Sequence, residues 1–339
     1  MKNIQAFREL LASPRQIAIV THFKPDADAL GSSLGLAGFL KKKGHQVQVI
    51  TPSDYPAFLA WMPGNDSVIA LSKEDPAPGA RAKEAIEKAE VLFCLDFSAL
   101  KRTEDLQDII RNSKAIKVLI DHHLEPERFA DFEQWKVESA STAGLIFQLI
   151  GEMGDSHLMD ADIANCLYAG LMTDTGGFRH SNTTRTEFMI ASELVGHGAN
   201  PSLVAKLVYD TNSIERLRLT GFVLFQKLQV LPRFKTAYMA LSAEELRQFG
   251  TQTGDTEGLV NYGLSINNIR LSVLLYERKN EIKYSFRSLG DFSVNELARR
   301  HFEGGGHKNA AGGTFKGTLQ GALKKFLDIL PDYETNLNA

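Results

Sequence analysis

The chain carries aspartate and histidine at places where they could act together. His22, Asp26 and Asp28 lie in Thr21-His22-Phe23-Lys24-Pro25-Asp26-Ala27-Asp28. Asp96 ends the apolar run Val91–Leu95, Asp121-His122-His123 ends the run Lys117–Ile120, and Asp174 sits in Thr173-Asp174-Thr175-Gly176-Gly177. If these meet, five carboxylates and three imidazoles share one small volume. Like charges so close repel strongly in a cleft of low dielectric, so several protonate or cations fill the site. Divalent ions are the simpler solution, and oxygen-plus-imidazole donors suit Mn²⁺ or Mg²⁺ better than a thiolate-seeking ion. Two such ions bridged by a carboxylate form a clamp for in-line attack on phosphorus. Taken singly, each residue has an ordinary reading: Asp26 or Asp28 as a helix cap, His22 as a satisfied core histidine, Asp96 as a cap for the next helix. The conjunction at successive strand ends favours chemistry.

The elements that must position them are legible in the same stretch. Ile17–Val20, Val47–Ile50, Val91–Leu95 and Lys117–Ile120 read as strands, most of them apolar on both faces. Ala29–Lys43 and Ala80–Glu90 read as helices, the first stopped by Gly44. Strand and helix alternating at this interval predict an α/β domain on a largely parallel sheet flanked by helices. Ligands of such sheets bind beyond the carboxyl ends of the strands, where the aspartates and histidines fall. Thr142–Glu152 and Asp160–Leu171 read as further helices, with Asp174 just beyond the second.

The second half has another texture. Ile214–Leu228 is a long amphipathic pattern suited to a connector, followed by strands at Thr236–Leu241, Leu271–Arg278 and Glu281–Ser288. Lys279-Asn280 reads as a hairpin turn between the last two, and a helix closes the chain at Thr318–Leu330. The expected organisation is a catalytic domain over 1–195, a helical connector over 196–225 and a smaller α/β domain over 226–339.

Composition sets outer limits. The 339 residues are 43% hydrophobic and 23% charged, which excludes a disordered chain, a collagen-like repeat and a disulfide scaffold. A net charge of −3 argues against gripping long nucleic acid by bulk positive charge. With no secretory pattern and no apolar run of membrane-spanning length, a cytoplasmic protein without a membrane partner is expected. Cys94 and Cys166 read as buried thiols. Trp61 and Trp135 read as packing residues rather than base-stacking platforms. His45, His157, His197 and His301 read as solvent-facing, and Arg179 and His180 as either cleft-lining or surface.

The ordered motifs resemble those of the DHH phosphoesterases: His22-Phe-Lys-Pro25-Asp26-Ala-Asp28-Ala-Leu-Gly31-Ser32, then Asp96, then Asp121-His122-His123, then Asp174. Gly304-Gly305-Gly306-His307-Lys-Asn-Ala310-Ala311-Gly312 resembles the signature of the accessory DHHA1 domain. Together they look like the NrnA group of oligoribonuclease and pAp-phosphatase enzymes. Ala27 stands where the group often has glycine, a change expected to do little harm.

The resemblance implies a ligand set. His22, Asp26 and Asp96 would hold one metal; Asp28, Asp96, His122 and Asp174 would hold a second, with Asp96 bridging. His123 would contact the scissile phosphate, and Asp121 would hold the histidine pair in tautomer and orientation. The implied reaction is hydrolysis of a phosphoester by water activated between two divalent ions, Mn²⁺ or Mg²⁺. Substrates would be short oligoribonucleotides and 3′-phosphoadenosine 5′-phosphate (pAp), with no role for long nucleic acid. Arg287, Gly304, Gly305, Gly306 and His307 would bind further phosphate, the glycine run as a nest of consecutive amides. Substrate would enter a cleft between two domains that close about the 195–215 connector, and a homodimer is compatible. Competing readings are a phosphodiesterase for linear or cyclic dinucleotides and a non-catalytic nucleotide sensor.

Overall fold

A computed structural model describes residues 1–72, 75–278 and 281–339, in two compact units, Met1–Thr211 and Asn212–Ala339. The N-terminal unit opens with α1 (Ile4–Leu10), β1 (Gln16–Val20), α2 (Ala27–Lys42), β2 (Gln46–Thr51) and β3 (Ile69–Ala70). Then come α3 (Ala77–Lys88), β4 (Val91–Leu95), α4 (Gln107–Asn112), β5 (Ile116–Asp121) and β6 (Phe132–Trp135). Four helices complete it: α5 (Thr142–Met153), α6 (Ala161–Asp174), α7 (Arg185–Gly196) and α8 (Pro201–Tyr209).

Its six strands are all parallel, in the order β3-β2-β1-β4-β5-β6. Residues of β1, β4 and β5 are apolar on both faces because both faces are covered. Ile17, Ile19, Phe93, Val118 and Ile120 pack against α1, α2, α5 and α6. Ala18, Val20, Leu92, Cys94 and Leu119 pack against α3 and α4. The chain leaves β1 toward β2 on one side and returns at β4 on the other. The sheet thus has its switch point between β1 and β4, the place where side chains at the carboxyl ends face an open crevice. Among the described residues no helix is long and apolar enough to cross a membrane.

Helices α2 and α6 approach closely because glycines line the contact. A methyl group on Gly31 would collide with the Cys166 carbonyl, and one on Gly35 would lie 2.6 Å from Leu167 Cδ2. The segment expected as a connector divides: Val204 and Val208 of α8 join the N-terminal core, whereas Leu219 and Val223 join a core of the second unit.

The second unit contains α9 (Ile214–Phe222), a wide turn over Val223–Lys227, β7 (Gln229–Leu231), β8 (Thr236–Leu241), α10 (Ala243–Gln248) and α11 (Asn261–Leu264). It continues with β9 (Leu271–Arg278), β10 (Glu281–Ser288), α12 (Val294–His301), β11 (Gly305–His307), β12 (Ala310–Phe315), α13 (Leu319–Ile329) and α14 (Glu334–Asn338). Its sheet runs β11-β12-β10-β9-β8-β7, with only the β8–β9 pair parallel. The expected hairpin turn Lys279-Asn280 lies outside the described residues; the strands flanking it pair antiparallel. Tyr284, Phe286 and Phe302 stack under α12 and α13 as one aromatic core.

Candidate functional site

Each predicted ligand reaches the carboxyl edge of the first sheet by a different route. Asp26 is the N-cap of α2, and its Oδ1 accepts from the backbone N–H groups of Asp28 and Ala29, both at 3.0 Å. The capping reading and the ligand reading are therefore compatible, because Oδ2 is left over. Asp28 is fully buried, and its carboxylate faces the N-terminus of α5: Oδ2 accepts from Thr142 N–H at 2.7 Å and Oδ1 from Ala143 N–H at 2.9 Å. Two amides at a positive helix end hold this carboxylate more firmly than a side-chain partner would.

Asp96 follows β4 with φ of +65°, a left-handed conformation that Asp tolerates better than most residues. That turn aims its carboxylate back over the sheet, where Oδ1 accepts from Thr142 Oγ1 at 2.8 Å. Asp174 is the last residue of α6, which runs a turn further than the sequence pattern indicated.

The histidines are set by their Nδ1 atoms. His22 donates Nδ1–H to the Phe23 carbonyl at 2.9 Å, and His122 donates Nδ1–H to the Ser139 carbonyl at 3.1 Å. A carbonyl can only accept, so each neutral ring directs the lone pair of Nε2 inward. His22 Nε2 lies 3.5 Å from Asp96 Oδ2. His122 Nε2 lies 3.4 Å from Asp96 Oδ1, 3.3 Å from Asp174 Oδ2 and 3.8 Å from Asp28 Oδ2. Asp121 bonds His123 Nδ1 at 2.7 Å through Oδ1. Asp121 was expected to orient both histidines; the Ser139 carbonyl takes that part for His122, whose ring packs edge to face on that of His123 with centroids 5.0 Å apart.

Three donor groups share Asp96, one with Asp121 and His123 and two with the expected ligands. Ligand atoms of His22, Asp26 and Asp96 lie within 4.8 Å of one another, as do those of Asp28, Asp96 and His122. Asp96 belongs to both, one oxygen facing each histidine. The charges show strain that a cation would relieve. Burial, then Asp96 and Asp174, push the Asp28 carboxyl well above the ordinary carboxylate range. Burial also raises Asp174. Burial opposes the charge on Asp96, but hydrogen bonds from His122 and His22 hold it well below the usual range. Burial works against a proton on His122 too, yet Asp174 and Asp96 raise it well above its ordinary value.

The raised groups reflect burial and crowded carboxylates, and a divalent cation takes the place of the protons they favour. Donors at right angles around an ion with bonds of about 2.1 Å are about 3 Å apart. Separations of 3.3–3.8 Å at His122 approach that shell, and the donors are all oxygen and imidazole. The residues fit hard divalent ions.

Thr142, Ser139 and Gly170 escaped sequence reasoning. Ser139, Ser141 and Thr142 form a hydroxyl-rich run before α5, and Ser141 caps that helix through Gly144 N–H at 3.0 Å. That run, so soon after the histidine pair, was the available signal. A methyl group on Gly170 would lie 2.6 Å from Asp28 Oδ1, so α6 can pass Asp28 only as glycine.

In the second unit, Arg287 of β10 pairs with Ala310 of β12, which pairs with His307 of β11, giving one row across three strands. The small Ala310 side chain separates the two larger ones. The glycine run does not form the expected nest. Gly304 N–H donates to the Ala298 carbonyl at 3.2 Å, and Gly305–His307 is an edge strand. Glycine is needed there because added methyls would strike the Gly312 carbonyl from Gly304 and the Ala310 carbonyl, at 2.5 Å, from Gly306. His45 is also corrected: it is 5% exposed, and its Nδ1 accepts from Arg15 N–H at 3.1 Å.

The DHH family, N-terminal domain, matches residues 16–171, and the DHHA1 domain matches residues 233–335. The chain is 30% identical over 325 residues to the bifunctional oligoribonuclease and PAP phosphatase NrnA of Thermus thermophilus, covering 95% of this chain and 88% of that one. It is 30% identical over 301 residues to the Bacillus subtilis protein of the same name, covering 87% and 88%. A solved structure of an exopolyphosphatase-related protein from Bacteroides fragilis superimposes with a TM-score of 0.92 at 41% identity, over 99% of this chain and 97% of that one.

Proposed function

Because the chain belongs to the DHH phosphoesterase family and carries its DHHA1 domain, we propose that it hydrolyses short oligoribonucleotides and pAp with two divalent ions, Mn²⁺ or Mg²⁺. The observation that carries this reading is the Asp96 carboxylate, which presents Oδ2 to His22 and Oδ1 to His122 and so belongs to both expected donor groups at once. His22, Asp26 and Asp96 would hold one ion, and Asp28, Asp96, His122 and Asp174 the other. Bound there, the ions supply Lewis acidity at the phosphoryl group and ease deprotonation of water.

The remaining work falls to the chain. Phe23 and Ser139 carbonyls keep His22 and His122 in the tautomer that presents Nε2. Thr142 Oγ1 steadies Asp96. His123 is the catalytic residue outside the ligand set. Asp121 holds its Nδ1 at 2.7 Å, and its Nε2 would face a phosphoryl oxygen, where charge builds in the transition state. In the second unit, Arg287 would form a bidentate contact with a non-scissile phosphate, with His307 beside it and the glycines Gly304, Gly305 and Gly306 leaving room. Few phosphates need matching, so a net charge of −3 is no obstacle.

The test is a substrate panel with Mn²⁺: labelled RNA from about two to ten nucleotides long, pAp, linear and cyclic dinucleotides, and pyrophosphate. Cleavage of the short RNAs and pAp is expected, with loss of both in Asp96→Ala. Activity on pyrophosphate alone overturns the proposal.

A further inference from the structure

Trp135 was expected to pack, and it is only partly covered. It is the last residue of the edge strand β6, stands opposite Asp121 in register, and is 39% exposed. Its indole Nε1–H donates to the His123 carbonyl at 2.6 Å. The His123 ring is bonded in turn to Asp121 at 2.7 Å. Asp121, His123 and Trp135 therefore form one chain of contacts along the sheet edge that carries the catalytic groups. The indole has a single polar atom, and it is already satisfied. What remains toward solvent is rigid aromatic surface beside the histidine assigned to the scissile phosphate.

We propose that Trp135 is the stacking platform for a nucleobase of the substrate and so a specificity-determining residue. The inference rests on the nucleotide-hydrolase reading above. A base stack needs a planar aromatic face, which the indole offers, and it tolerates any base because every base has a π-face. A stack adjoining His123 would let the enzyme tell a nucleotide phosphate from inorganic or sugar phosphate without reading sequence.

The test compares W135A, W135L and W135F on a diadenylate and on the same dinucleotide made abasic. W135A and W135L are expected to raise KM for the diadenylate about 5- to 100-fold, the range that one base–aromatic stack spans, with kcat and abasic turnover within about twofold of wild type. W135F, which keeps a ring and loses the bond to His123, should recover most of the KM. Independently, pAp should quench intrinsic emission in the wild type and fail to do so in W135F, where Trp61 is the remaining indole, while ribose 5-phosphate quenches neither. Equal loss on both substrates, or W135F as impaired as W135A, assigns Trp135 to propping His123 and overturns the platform. Unchanged KM in W135A overturns it too. If the wild type cleaves no nucleotide, the function falls but the quenching still decides: quenching by pAp that W135F abolishes upholds the platform, and absent quenching sinks it.

Discussion

Replacing Gly170 by alanine tests whether the close approach of three helices positions Asp28. The new methyl would sit 2.6 Å from Asp28 Oδ1, 2.8 Å from Ala143 Cβ and 3.1 Å from Asp28 Cα. Non-bonded carbon contacts settle near 3.5–4.0 Å, so α2, α5 or α6 must retreat by roughly 0.5–1 Å. Asp28 cannot turn aside without loosening its bonds to Thr142 N–H and Ala143 N–H. Overpacking costs about 1–3 kcal/mol, and weakening one hydrogen bond to a charged group costs about 1.5–3 kcal/mol. Alanine returns about 1 kcal/mol of helix propensity. The net is a loss of about 1.5–5 kcal/mol, which for a unit of this size lowers its melting temperature by about 3–20 °C. Displacing a ligand carboxylate should also weaken Mn²⁺ binding about 10- to 100-fold. Gly151→Ala in α5 is the control, because its methyl would meet only Ser156 Oγ at 3.9 Å and should be neutral or stabilising. Thermal unfolding in chelator and Mn²⁺ titration by calorimetry read both effects. A Gly170→Ala protein with wild-type melting and wild-type Mn²⁺ affinity would refute the reasoning.

Thr142→Val keeps the shape of the side chain and removes the hydroxyl that bonds buried Asp96; Mn²⁺ affinity should fall about 10- to 100-fold, and melting in chelator should fall with the loss of about 1.5–3 kcal/mol. Arg287→Ala should raise KM for short RNA about 10-fold or more with kcat nearly unchanged, and a pure kcat loss would move Arg287 to the chemistry. His45 carries a pH dependence. Burial, with Lys43 and Arg15 nearby, lowers its pKa below the ordinary 6.5. The folded chain thus resists a proton that the unfolded chain takes up, and stability is lost as pH falls below about 6.5. His45→Asn removes that titration, so the stability advantage of wild type over His45→Asn should shrink between about pH 7.5 and 5.5. A constant difference in denaturant titrations across that range would show that His45 does not titrate as argued.

What could be read from the chain beforehand follows from which forces act locally. Strands β4, β8, β9 and β10 have the expected boundaries because long apolar or alternating runs are intrinsic to their own residues. Strands β11 and β12 were unreadable, since Gly305-Gly306 and Ala310–Gly313 have little strand propensity and owe their form to the neighbours they must fit between. β6 is short and mixes Glu133 and Gln134 with Phe132 and Trp135, so no period stands out. At the site, the aspartates and histidines were visible because the chemistry depends on residue type. Thr142, Ser139 and Gly170 were not, because they act through distance, and a hydroxyl, a carbonyl or a missing methyl looks the same wherever it falls. The setting of Trp135 could not be read for the same reason: the hydrogen bond to His123 exists only once β5 and β6 are side by side.

The grip of α5 on Asp28 has a consequence for how the protein handles its cations. The carboxylate is tethered by main-chain amides, so it is in position as soon as the helix has docked on α2. Its ordering is completed during folding and adds nothing to the work of loading. Ions then compete with the proton that burial favours on this carboxyl, and with one another on coordination preference and supply. Such a socket can be filled, emptied and refilled from a fluctuating pool without the domain having to refold around each occupant.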